Sequence, residues 1–130
     1  MEQFHPVAVV TLLTCALVFA MGLNVARARR RSGIPPPATT GHPLLERAMR
    51  VHYNTLEWLP IFLPSLWLFA VYASPAWAAA LGLVWLGGRV AYFVGYMADP
   101  SRRMAGFLIQ TAVSVVLMAG ALLRILYLWL

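Results

Sequence analysis

Four apolar runs, roughly Val7 to Ala26, His52 to Tyr72, Ala76 to Met97 and Met104 to Leu128, take up almost the whole chain. Each is close to the ~20 residues that cross ~30 Å of hydrocarbon as a helix. No water is available in a bilayer core to satisfy backbone polar groups, so each run must close its hydrogen bonds internally. The expected fold class is therefore an all-α integral membrane protein. It is a single four-transmembrane-helix bundle over residues 1–130, with helices at about 6–30, 43–72, 76–97 and 103–128. Composition agrees, with 62% hydrophobic and 11% charged residues, where soluble domains carry about half apolar and a quarter charged. The first run is too long for a removable signal peptide and lacks its small-residue cleavage site, so it is read as a resident helix. Cys15, the single cysteine, lies inside that run and is expected to serve as a small buried apolar residue, which leaves no disulfide framework and no metal cluster.

All ten basic residues are arginine. Eight of them, Arg27, Arg29, Arg30, Arg31, Arg47, Arg50, Arg102 and Arg103, belong to the first and third connections or to the adjoining helix ends. Four spans put those two connections on one side of the membrane, and the positive-inside rule makes that side cytoplasmic, with both termini on the other. The net charge of +6 then reports topology. It does not point to nucleic acid as a partner.

One charged stretch does not fit a purely topological role. Arg47, Arg50, Asn54 and Glu57 are spaced by 3, 4 and 3, so they fall within about 80° on one helix face. This face runs directly into Trp58 to Trp67, which is membrane. From Pro43 to Tyr72 a helix measures ~45 Å, so Arg47 projects into the cytoplasm, but Glu57 lies ~15 Å deeper along the axis. An ionised group at mid-span costs at least ~2.5 kcal/mol, so this stripe should face a protein interior or a polar ligand. Pro60 and Pro64 each remove a helical hydrogen bond, and a kink is expected just past Glu57.

Ser32 to Pro43, with Pro35, Pro36, Pro37, Gly33 and Gly41, reads as an irregular cytoplasmic loop. Ala73-Ser74-Pro75 is a tight turn on the far side. The third helix carries Arg89, Tyr92 and Tyr96 on one stripe, among small residues that allow close packing. Three polar clusters thus converge at one membrane face: Arg29 and Arg30, then Arg50 to Glu57, then Arg89 to Arg103. Arginines bind carboxylates by bidentate hydrogen bonds, and a lone Glu57 among them can pair an ammonium. Glutathione, with two carboxylates, one ammonium and a thiol, has that pattern.

The motif E-R-x-x-R-x-x-x-N-x-x-E at Glu46 to Glu57 is preceded by Pro-Pro-Ala-Thr-Thr-Gly at Pro36 to Gly41. It is followed by Arg89-Val90-Ala91-Tyr92-Phe93-Val94-Gly95-Tyr96 and then Arg103. In these motifs, which fall in one register over nearly the whole chain, the sequence resembles the MAPEG family, membrane-associated proteins of eicosanoid and glutathione metabolism. Within it the likeness is greatest to the cysteinyl-leukotriene synthases and microsomal glutathione transferases. The resemblance implies a homotrimer with glutathione bound between subunits near the cytoplasmic face. It further implies that Arg29, Arg50, His52, Asn54, Glu57, Trp58, Tyr92 and Tyr96 hold the tripeptide, with Arg103 against the sulfur and Arg30 opposite, toward the electrophile. Two positions depart from the leukotriene synthases, His52 and Trp58 standing where they have glutamine and tyrosine.

The function that follows is a membrane glutathione transferase joining the glutathione thiolate to a lipophilic electrophile, with glutathione-dependent peroxidase chemistry as a further activity of the same site. Its partners are glutathione, a lipophilic electrophile or fatty acid, the bilayer and two further copies of the chain, and no metal is called for. The alternative is a non-catalytic, fatty-acid-binding protein of the lipoxygenase-activating type. A four-helix exporter of cationic drugs is a third class. It would need an acidic residue free of arginines, and the first helix has none past its start.

Overall fold

In the computed structural model, which describes residues 1–130, the chain forms four long helices and no strand. α1 spans His5–Ser32, α2 Pro43–Tyr72, α3 Pro75–Ala98 and α4 Met104–Trp129. Short 3-10 turns precede α1 at Glu2–Phe4 and α4 at Pro100–Arg103. All four helices are long and apolar enough to cross a membrane. Of 103 backbone hydrogen bonds, 94 lie within the helices, so the spans satisfy their own polar backbone as hydrocarbon demands.

The helix ends follow from local chemistry. Ser32 ends α1 because Gly33 takes a left-handed φ of 69° and returns its N–H to the Arg29 carbonyl, a conformation glycine adopts without a Cβ penalty. α2 restarts at Pro43, whose missing N–H costs nothing in a first turn. His42 caps it, its Nδ1 accepting from the Leu44 N–H at 3.1 Å. Across the bilayer, Ser74 caps α3 by accepting the Trp77 N–H. Despite Pro60 and Pro64, α2 is one continuous helix from Pro43 to Tyr72.

Lipid tails are as apolar as leucine, so helices associate here through close packing and buried polar contacts. α2 and α3 form the central pair. α1 and α4 each pack on both of them, with no more than marginal contact to each other. Glycines set the distances. A Cβ on Gly82 would sit 2.7 Å from Val10 of α1, and one on Gly88 would sit 3.1 Å from the Gly106 carbonyl oxygen of α4. At Gly106 it would fall well inside contact distance of the Gly88 carbonyl and the Tyr92 amide, so the two backbones touch there.

Above that crossing, Trp85 stacks on Phe62 with centroids 3.8 Å apart. Its indole Nε1 donates to Ser114 Oγ at 3.0 Å, and Ser114 in turn donates to the Gln110 carbonyl. α2, α3 and α4 are thereby tied by one aromatic stack and one polar chain. The walls of the site described next come from these three helices.

Candidate active site

Between α2, α3 and the start of α4 lies an open cleft of about 390 Å³, lined by Arg50, Asn54, Tyr92, Tyr96, Arg103, Met104 and Phe107. Such a volume lies within the ~300 to 1,000 Å³ typical of small-ligand sites. Each wall has a local cause. Arg50 and Asn54 are one turn apart on α2, and Tyr92 and Tyr96 one turn apart on α3, so each pair faces the same way. Arg103 ends the 3-10 turn, which Asp99 starts by accepting the Ser101 N–H at 2.9 Å. Its guanidinium donates to the Pro100 carbonyl at 3.0 Å and stands 5.9 Å from the centre of the Tyr96 ring.

The hydrogen bond from Ser101 holds the Asp99 carboxyl below the ordinary carboxylate range, with Arg102 and Arg47 adding smaller effects in the same direction. A lowered folded-state pKa means that the turn's stabilisation is complete above pH ~4 and is lost as pH falls through the lowered value. Protection of the Ser101 amide against hydrogen exchange should therefore persist at neutral pH and disappear in acid, and Asp99→Ala should abolish it at every pH. Protection that survives in Asp99→Ala would show that the turn does not depend on this carboxylate.

Of the remaining residues singled out in the sequence, Glu57 lies at the edge of the cleft. Asn54 Nδ2 donates to Glu57 Oε2 at 3.4 Å, and Arg50 approaches Glu57 Oε1 at 4.0 Å. Arg50 and Glu57 keep 57% and 59% of their side chains exposed. Trp58 packs edge-on against Phe107, with centroids 5.8 Å apart, and so stands behind the cleft wall.

Three residues lie elsewhere in the chain. His52 is on the α1 side of α2, where a Cβ on Gly22 would come within 3.9 Å of its ring. Arg29 donates to the Ala38 carbonyl at 2.6 Å and contacts Met49 Sδ, tying the loop after α1 to α2. Arg30 is exposed on α1. Because α1 and α4 are not packed together, one chain does not bring Arg30 opposite Arg103. Arg47 leaves the ionic stripe too, donating to the Met97 and Ala98 carbonyls at the C-terminal end of α3, where a cation is favoured.

Two lining residues, Met104 and Phe107, were missed by the sequence reading. The signal for them was their spacing of one and four residues from Arg103, which places all three on one side of the chain as α4 begins. No group of three or more His, Cys, Asp or Glu side chains comes together.

The MAPEG family profile matches residues 7–123 of this sequence. The chain belongs to the MAPEG family. Leukotriene C4 synthase of Cavia porcellus is 40% identical to this MAPEG chain over 96% of it and 83% of the relative. Microsomal glutathione S-transferase 2 of Homo sapiens is 36% identical over 88% of the chain and 79% of the relative. An uncharacterized protein of Synechocystis is 50% identical over 92% of the chain and 88% of the relative. A MAPEG chain with four apolar helices is an integral, multi-pass membrane protein.

Proposed function

We propose that the chain is a membrane glutathione transferase, conjugating the glutathione thiolate to a lipophilic electrophile. The observation that carries this reading is the cleft, where Arg50, Asn54, Tyr92, Tyr96 and Arg103 meet in a chain whose relatives include a glutathione transferase. In the proposed complex Arg50, Asn54, Glu57, Tyr92 and Tyr96 hold the peptide, with Trp58 backing the wall through Phe107, while Arg103 meets the sulfur. Arg29, His52 and Arg30 come from a neighbouring copy, with Arg30 on the side of the electrophile.

Two features support a site between copies. The half-exposed Arg50 and Glu57 stand on a spanning helix, where a charge left to lipid costs several kcal/mol, about 2.5 to 3.5 each at mid-span. Moreover, α1 carries Arg29 and Arg30 on the far side of the bundle from α4. A homotrimer, as the resemblance implies, closes both gaps. The clustering of arginines supports a cleft at the cytoplasmic face, with both termini on the other side.

Arg103 would act on the thiol. A thiol of pKa ~8.5 is only a few per cent thiolate at pH 7, and the thiolate is the nucleophile. In the reaction the thiol proton leaves to water, the sulfur forms a bond to carbon, and the electrophile's leaving group departs or its epoxide ring opens. Peroxide reduction would use the same thiolate: the sulfur attacks one peroxide oxygen, the O–O bond breaks to release an alcohol, and a second glutathione converts the resulting sulfenic acid to disulfide and water.

The test is thioether formation by the detergent-purified protein from glutathione and an activated aryl halide, followed by a lipid epoxide. Conjugation dependent on protein and saturable in glutathione supports the proposal. Failure to bind glutathione would favour the alternative of a fatty-acid-presenting membrane protein. The observation in favour of that alternative is an apolar groove of about 210 Å³ between α2 and α4, lined by Ser65, Leu68, Met118, Ala121, Leu122 and Ile125.

A further inference from the structure

Arg89 is wholly buried in the middle of α3, and it makes every one of its hydrogen bonds to a single residue. Its Nη1 and Nη2 donate to Asn54 Oδ1 at 3.0 and 2.9 Å, and Nη2 also donates to the Asn54 carbonyl at 3.2 Å. The guanidinium carbon lies 4.7 Å from the Tyr92 ring centre and 5.7 Å from that of Trp85. The chain's one ion pair is between Arg50 and Glu57, so Arg89 has no carboxylate partner. Burying an arginine among neutral groups is expensive. A purely structural bond could be made by a neutral side chain, so this charge has to be explained.

We propose that Arg89 is a positioning residue that fixes the Asn54 carboxamide as a hydrogen-bond donor facing the cleft. This rests on the reading of the cleft as a glutathione site. An asparagine amide can ordinarily turn over, exchanging an acceptor oxygen for a donor nitrogen of the same shape. Here it cannot turn, because two guanidinium N–H groups occupy the oxygen, and the flipped amide would set donors against donors. Asn54 Nδ2 is thereby aimed outward. One N–H reaches Glu57 Oε2, and the other is free for a ligand acceptor, a peptide carbonyl or a carboxylate oxygen. The neighbouring Glu57 offers only acceptors when ionised. The cleft therefore presents a donor and an acceptor side by side in an order set by Arg89.

Asn54→Asp separates this role from a merely structural tie. It keeps the shape, gives Arg89 a charged partner and removes the N–H donor from the cleft. Calorimetric titration with glutathione is expected to show binding weakened by about tenfold or more, with a melting temperature no lower than wild type. Arg89→Met should raise KM for glutathione by about tenfold while changing kcat far less, and Arg89→Lys should recover part of the loss. Asn54→Asp binding glutathione as tightly as wild type would overturn the positioning role, whatever Arg89→Met does. A wild-type protein that binds no glutathione would instead overturn the function on which the role rests.

Discussion

Arg103→Ala is expected to lower conjugation at pH 7 by about twentyfold or more, with glutathione still bound. The size follows from the thiol. Lowering its pKa by about two units takes ~2.7 kcal/mol of preferential stabilisation of the thiolate, within reach of one arginine beside a low-dielectric site. That shift raises the thiolate from a few per cent to the majority species at pH 7, and the mutant returns it to the ordinary value near ~8.5. The pH profile gives the sign. The wild-type rate should level off near neutrality, whereas the mutant rate should climb through pH ~8 to 9, closing most of the gap. Arg103 is exposed at the end of a 3-10 turn, so its removal leaves the fold intact. An equal loss of glutathione affinity would assign Arg103 to binding.

Gly106→Ala is expected to destabilise the bundle by about 3 kcal/mol or more, at or above the upper end of ordinary overpacking. The added methyl meets the backbone of Gly88 and Tyr92, neither of which can rotate away as a side chain could. α3 and α4 would have to separate, and with them Tyr92 and Arg103, so glutathione affinity should fall together with thermal stability in detergent. Gly87→Ala is the control. A Cβ there has nothing within 4 Å, and its effect should stay within about 0.5 kcal/mol. Equal effects at the two glycines would mean that the α3 and α4 backbones are not in contact.

The four spans and the arginine-rich connections were legible in the sequence, because hydropathy over ~20 residues and charge counts are local properties. So was the restart at Pro43, which depends on one residue's missing N–H. The fourth helix, expected from about residue 103, begins at Met104, and what the local pattern did not show is that Pro100 and the Asp99 cap draw Pro100–Arg103 into a 3-10 turn.

Helix adjacency was not legible. Arg29, Arg30 and Arg103 share one membrane face by depth, and the resemblance implies a site between copies, but depth alone does not say which helices are neighbours within one bundle. Packing decides that: α1 and α4 each lie against α2 and α3 and scarcely meet each other. The role of Arg89 was half visible. Its stripe with Tyr92 and Tyr96 follows from spacing, while its hold on Asn54 depends on how α2 meets α3.

The central claim is an activated thiolate in the cleft. It is tested most directly by an ultraviolet difference titration of the detergent-purified protein with glutathione at pH 7, with Arg103→Ala alongside. A thiolate absorption band that saturates in the wild type and is missing from the mutant, at matched glutathione occupancy, is the predicted result. Saturable binding without the band in the wild type would contradict it.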